Sequence, residues 1–278
     1  MSDEFQSGVE QHWYDGARGQ LIERIGSALI DDGKDLDRLT IDDLTSVDEF
    51  HIRGREATSE LASLAAIKKG DRVLDVGSGL GGPARYLAAE HGCDVTGIDL
   101  TAEYCDVANT LAQWVGLADR VKHRQADALE LPFEDESFDV AWTQHISMNI
   151  SDKNAFFAEM QRVVRPGGKL VIYDPVKGDD RPLEFPVPWS RDGRISFLIK
   201  AEETRQILES QGLDLIEWYD ASEKSRWWFA ANAERAQKPS ALGVQLLLGD
   251  EWRVMAANTV KNLAEGRIAV IQVVARRR

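Results

Sequence analysis

Cysteine is scarce in this chain. Its 278 residues hold two, Cys93 and Cys105, at a spacing that suits neither a metal site nor a redox pair. A disulfide framework is excluded as an organising device, and the default reading is two reduced thiols in a cytoplasmic protein. Long apolar runs are also missing. No stretch reaches 18 apolar residues, so a membrane span is not expected. The start, Met1-Ser-Asp-Glu-Phe-Gln, lacks the basic and apolar regions of a secretion signal. Positive charge is in deficit. Lys and Arg total 33 against 47 Asp and Glu, a net charge of −14. Without a basic stripe to offset phosphate repulsion, nucleic acid is not the expected partner. The Arg276-Arg277-Arg278 tail reads as a solvated end. The acid excess reads as ordinary solubility charge ahead of adaptation to a salt-rich cytoplasm. Histidine numbers five (His12, His51, His91, His123 and His145), with no metal-ligand spacing, so no metal is expected.

What is present is a regular alternation. From Asp71 onward, short strands alternate with helices: strands at 72–76, 94–98, 121–125, 139–143 and 169–173, and helices at 83–90, 102–115 and 153–164. Arg165-Pro-Gly-Gly168 is read as the stop of the last of these helices. This order implies a doubly wound, mostly parallel α/β sheet. Residues 1–66 show no strand pattern and read as a helical N-terminal cap. Residues 67–175 form the α/β core. Residues 176–278 carry a proline- and charge-rich loop over 175–194, helices at 201–211, 223–236 and 251–263, and strands at 213–219 and 268–275 that extend the same sheet.

The first strand runs into Val73-Leu-Asp-Val-Gly-Ser-Gly-Leu-Gly-Gly82. Gly77, Gly79 and Gly82 make a G-x-G-x-x-G turn between strand and helix, a pattern shared by many nucleotide-binding folds. Asp75 sharpens it. A carboxylate two residues before the first glycine would repel a pyrophosphate but suits a cationic ligand. S-adenosyl-L-methionine (SAM) carries a sulfonium and an ammonium and no phosphate, so the turn points to methyl transfer ahead of hydride transfer. Asp99 closes the second strand, 22 residues after Gly77, where an acidic group accepts hydrogen bonds from ribose hydroxyls. Leu100 follows, placed to cover an adenine face. Asp127-Ala128 follows the third strand, where a carboxylate meets the adenine amino group. Thr143-Gln144-His145 ends the fourth. Each aspartate alone is equally readable as a helix cap; four successive strand ends in order are harder to read that way.

These segments, with Ala126-Asp-Ala-Leu-Glu-Leu-Pro-Phe133, Phe138-Asp-Val-Ala-Trp142 and Arg162-Val-Val-Arg-Pro-Gly-Gly168, resemble the successive motifs of class I SAM-dependent methyltransferases. The resemblance covers about residues 60–175 and is nearest to the small-molecule group with ubiquinone-type, tocopherol-type and sarcosine/dimethylglycine enzymes. It implies a seven-stranded sheet with a Rossmann-like core and an antiparallel last strand at 268–275. It also implies that Asp75, Gly77 and Gly79 cradle the methionine part of SAM, that Asp99 holds the ribose, that Asp127 and Ala128 frame the adenine, and that Gln144 lines the methyl donor.

Methyl transfer from a sulfonium is an in-line displacement of an already activated group, so alignment and water exclusion matter more than a catalytic triad. A base is needed only if the nucleophile arrives protonated. His145 is the leading candidate for acceptor contact or base; the alternative is that it packs or caps the next helix. Met148 and Asn149 share its loop. His51 is a candidate for closing over the cofactor or for a structural hydrogen bond. Trp13 and Tyr14 fall where an N-terminal helix would cover the site. Trp189 offers a face to an ammonium and Arg191 a fork to a carboxylate. Adjacent Trp227 and Trp228 cannot both face one side of a helix, so one is expected to pack in the core and the other to reach a pocket or an oligomer contact, with core packing the favoured reading. The expected acceptor is a small molecule, with N-methylation of an amino-acid-like amine slightly ahead of C- or O-methylation of a quinone, phenol or natural-product ring. A nicotinamide-dependent oxidoreductase and a non-catalytic SAM-binding module are the alternatives from other classes. The oligomeric state stays open, a homodimer being one option.

Overall fold

In the computed structural model, residues 8, 9, 12, 20–236 and 241–278 are described. Seven strands form one sheet: β1 (Arg72–Val76), β2 (Asp94–Asp99), β3 (Val121–Gln125), β4 (Phe138–Gln144), β5 (Val164–Lys177), β6 (Leu213–Asp220) and β7 (Ile268–Arg277). Their order is β3-β2-β1-β4-β5-β7-β6. β1 to β5 pair in parallel, and β7 runs antiparallel between β5 and β6. The fold is therefore the expected doubly wound, mostly parallel α/β sheet.

The strand order reverses between β1 and β4. In open α/β sheets a ligand crevice lies beyond the carboxyl ends of the strands at such a switch point. β1 is buried from Val73 to Val76, which accounts for its unbroken apolar run around Asp75. Helices α1 (Leu21–Asp31), α2 (Gly54–Leu64), α3 (Gly82–His91), α4 (Ala102–Trp114), α5 (Lys153–Val163), α6 (Ala201–Ser210), α7 (Ser222–Ala236) and α8 (Trp252–Ala264) flank the sheet. Val73, Val140, Trp142 and Val171 pack toward α2 and α3 in one core. Leu74, Ala141, Leu170 and Ile172 pack with Phe156, Phe157 and Met160 of α5 in the other. Alternate strand residues thus supply opposite faces. A third cluster joins Leu21, Ile25, Leu29, Leu44 and Val47 to Leu80 and to Tyr104, Val107 and Leu111 of α4. It fixes the chain before α2 against the mouth of the crevice.

Two expectations need correction. Arg165-Pro-Gly-Gly168 does not separate helix from strand. β5 starts at Val164, opposite Phe138, and the next pair is Val140 with Lys169, so the Pro-Gly-Gly stretch is an irregularity within the strand. Nor does the loop begin at Pro175. Pro175 faces Val270, and β5 continues to Lys177 opposite Ile268. A proline is tolerated because Val270 directs its backbone groups to the other side: its N–H donates to Ser222 Oγ at 2.9 Å and its carbonyl accepts from the Ala221 N–H at 2.8 Å.

Candidate cofactor and acceptor cleft

The glycine turn is pinned to β2. The N–H groups of Gly77 and Ser78 both donate to the Ile98 carbonyl at 2.8 Å. Gly77 sits at φ 75°, and a Cβ there would fall 2.1 Å from Ile146 Cδ1. Only glycine fits such a position. Pro83 follows in the first turn of α3, where its missing N–H costs nothing.

Asp75 lies at the floor of the cleft, 2% exposed, and its Oδ2 has no hydrogen-bond partner. Burial, reinforced by the charges of Asp99 and Glu49, pushes its pKa up to about 8. An orphaned buried carboxylate calls for a donor or a cation. The ammonium of SAM supplies both. Asp99 Oδ2 accepts from the Gly79 N–H at 3.0 Å and Oδ1 from the Thr101 N–H at 2.9 Å. Burial raises its pKa, opposed by these N–H donors. Asp127 Oδ1 accepts from the Leu129 N–H at 2.9 Å, a local turn that faces the carboxylate into the cleft. Leu100 and Ala128 line the same end. The strand ends therefore bring all seven of these expected cofactor residues (Asp75, Gly77, Gly79, Asp99, Leu100, Asp127 and Ala128) to one wall. Among the described residues that line the cleft there is no lysine or arginine. A pyrophosphate would meet carboxylates and no cation.

Gln144 and two histidines occupy the other side. Gln144 Oε1 accepts from Trp142 Nε1 at 2.9 Å, and its Nε2 lies 3.1 Å from His51 Nε2. His51 Nε2 also lies 3.1 Å from the Gly54 carbonyl and 3.5 Å from Glu49 Oε2. Glu49 in turn accepts from Thr58 Oγ1 at 2.7 Å and pairs with Arg55. His145 takes a left-handed backbone, φ 56°. Both of its ring nitrogens are committed: Nε2 accepts from the Ile52 N–H at 3.2 Å and Nδ1 donates to the Tyr173 carbonyl at 3.1 Å. Burial drives its pKa down to about 3, so it stays neutral.

The remaining candidates divide. Met148 and Trp189 are buried and line the cleft, but Trp189 Nε1 is used by Ser196 Oγ at 2.9 Å. Asn149 lines it too, while its side-chain amide donates to the carbonyls of Trp189 and Ile195 at 2.9 and 2.8 Å. Asn149 thus stitches the β4 loop to the loop after β5. Arg191 is not on the cleft wall. It is exposed and its Nε bonds Glu251 Oε2 at 3.0 Å, so the expected carboxylate fork is turned to the surface. Trp13 and Tyr14 lie outside the described residues. The expectation that one of Trp227 and Trp228 packs in the core does not hold. Trp227 is 75% exposed and Trp228 bonds Glu56 at the surface; Phe229 is the member that packs on the core. Several lining residues escaped the sequence reading: Phe50, Ile52, Ile146, Pro188 and Thr259. Phe50 and Ile52 flank His51, a signal that was available. Pro188 and Thr259 come from loop and helix positions that only tertiary packing assembles.

A methyltransferase-domain family model matches residues 74–172. Methyltransferase GfsG of Streptomyces halstedii is 35% identical over 187 residues, 66% of this chain and 67% of that protein. The chain belongs to the SAM-dependent methyltransferases. Its cofactor is SAM. The sarcosine/dimethylglycine N-methyltransferase of Aphanothece halophytica is 32% identical over 149 residues, 54% of this chain and 54% of that enzyme, so this methyltransferase spans about half of that relative. Geranyl diphosphate C-methyltransferase from Streptomyces coelicolor A3(2) has the same fold, with a TM-score of 0.71 at 17% identity over 100% of this chain and 99% of that one. Acceptors among these proteins differ in the atom methylated. Among the described residues no helix is long and apolar enough to cross a membrane, and no cluster of His, Cys, Asp or Glu is arranged to hold a metal ion.

Proposed function

We propose that this methyltransferase transfers the methyl group of SAM to a largely apolar small molecule that carries a hydroxyl, such as a phenol, hydroquinone or natural-product ring. One observation carries the reading. Beyond the carboxylates the cleft is lined by Ile52, Met148, Ile150, Pro188 and Trp189, and its described lining holds no lysine or arginine to receive a carboxylate or phosphate. An apolar acceptor gains from burial on that wall, about 25 cal/mol per Å² removed from water. An amino-acid carboxylate would be desolvated without a partner, which is unfavourable by several kcal/mol. The slight preference for an amino-acid-like amine rested in part on Arg191, and the Glu251 pairing removes that support.

SAM supplies the activated methyl group. Asp75 and the turn at Gly77 and Gly79 would hold its methionine part, Asp99 the ribose, and Asp127, Leu100 and Ala128 the adenine. Gln144 stands between the cofactor wall and the histidines. Phe50, His51 and Ile52 come from the segment before α2, which supports reading residues 1–66 as a cap that completes the site.

The second reading is N-methylation, favoured by the sarcosine/dimethylglycine relative. The test is methyl transfer from labelled SAM to two sets of acceptors followed by mass spectrometry. Alkyl-substituted phenols and hydroquinones form one set; glycine, sarcosine and dimethylglycine form the other. Methylated phenol or hydroquinone with the amines untouched supports the proposal. Methylated amines with no phenol product refute it.

A further inference from the structure

We propose that His51 is the catalytic residue that takes the proton from the acceptor's hydroxyl. The inference rests on the hydroxyl-bearing acceptor just proposed. Three acceptors surround His51 Nε2: the Gly54 carbonyl at 3.1 Å, the Thr58 hydroxyl oxygen at 3.2 Å, whose own hydrogen goes to Glu49 Oε2 at 2.7 Å, and the Glu49 carboxylate at 3.5 Å. The opposing donor is the Gln144 amide at 3.1 Å. These acceptors, Glu49 among them in an ion pair with Arg55, hold the imidazole proton on Nε2. The lone pair then lies on Nδ1. That atom makes no hydrogen bond, and it is not among the fully enclosed polar atoms that lack one. It therefore opens on the cleft that His51 lines.

The other titratable groups of the cleft do not serve. Both nitrogens of His145 are committed to the backbone. Asp75, Asp99 and Asp127 stand on the cofactor wall, and Asp48 is held by Arg85 at 2.6 Å. Tyr104 is buried and its hydroxyl is pushed far above the neutral range. Burial, with the nearby Arg55 and Arg53 charges, lowers the His51 pKa to about 4, so the free base is the form present at neutral pH.

The step balances. The acceptor O–H bond breaks and its proton goes to Nδ1. The oxygen's electron pair forms the O–CH3 bond, and the electron pair of the S–CH3 bond stays on sulfur. Nε2–H directed at Gly54 and Glu49 fixes the ring so that Nδ1 faces the acceptor, the orienting arrangement that a general base requires.

Two measurements test this. In wild-type protein labelled with 15N-histidine and saturated with S-adenosylhomocysteine, long-range 1H–15N spectra should show His51 with Nε2 protonated and Nδ1 bare. A protonated Nδ1 overturns the proposal, and this readout needs no variant. The second compares His51→Gln with wild type on two probes at neutral pH, an alkylphenol whose hydroxyl is protonated and a nitrophenol already ionised. SAM affinity should be unchanged, kcat should fall about 100-fold or more on the alkylphenol, and the nitrophenol rate should change little, because only the first needs a base. Equal losses on both probes mean a structural role and overturn the proposal alone. Normal SAM binding with no transfer to either phenol by wild type defeats the acceptor reading, and this inference falls with it.

Discussion

Asp99 Oδ2 accepts a hydrogen bond from the Gly79 backbone N–H at 3.0 Å. One carboxylate at the end of β2 thereby shapes the glycine turn after β1 and also faces the cleft. The proposed ribose role is thereby coupled to a structural one. Replacing Asp99 by Ala should weaken SAM binding by about 1–3 kcal/mol, the scale of losing hydrogen bonds to a charged group. Calorimetry reads this directly. Unchanged affinity would remove Asp99 from the ribose role.

Asp75 gives a proton-linkage prediction. Its pKa of about 8 in the free protein means that the carboxyl is mostly protonated at pH 7. A bound ammonium favours the carboxylate, so SAM binding at pH 7 should release about one proton and tighten as pH rises toward 8. Calorimetry in buffers of different ionisation enthalpy measures the release; heats independent of the buffer would contradict it. The sign for stability is the reverse. The folded-state pKa lies above that of the unfolded chain, so the contribution is present at low pH and lost as pH rises through 8. Asp75→Asn should therefore gain Tm over wild type between about pH 5 and 8 in the free protein, while losing SAM affinity.

His145 is expected to be a positioning residue, since the Ile52 N–H and the Tyr173 carbonyl occupy its ring. His145→Val strands both groups and puts a β-branched side chain at φ 56°, which should destabilise the fold by about 2–4 kcal/mol. Asn tolerates that backbone and retains a polar side chain, so His145→Asn should lose distinctly less. Denaturant midpoints decide. Equal losses for the two variants would show that neither the backbone conformation nor the hydrogen bonds matter.

Gly77→Ala places a methyl 2.1 Å from Ile146 Cδ1 at φ 75°. The expected result is a loss of about 1–3 kcal/mol in stability from strain and overpacking, with SAM binding lost as the turn moves. Ile146→Ala in the same chain relieves the contact but not the backbone strain, so stability should recover only in part. Full recovery would show that strain at this φ is negligible.

Much of the core was legible because its signals are local. β1 reads as a buried apolar run into Gly77 and β2 ends on Asp99, so both strands and their cleft residues follow from the residues themselves, whereas the polar edge strand β3 follows from the alternation of strands and helices. β5 was shortened in the reading because Pro166, Gly167, Gly168 and Pro175 are breakers by composition. The strand absorbs the first three as an irregularity and the last where Val270 turns its hydrogen bonds away. The acceptor side was less legible. Arg191 is decided by Glu251, 60 residues on, and the His51 surroundings by Gln144, 93 residues on. Partners that distant leave no spacing signal. The aromatic pair Trp227 and Trp228 carries no signal for which face of its helix turns inward, and it is Phe229 that packs on the core while Trp227 faces outward.

The carboxylate wall of Asp75, Asp99 and Asp127 should be a site for cationic SAM and not for a dinucleotide. Calorimetric titration with SAM, with NAD as the control, tests it most directly. Saturable binding of SAM without heat from NAD is the predicted result. Preferential binding of NAD, or no binding of SAM, would contradict the account.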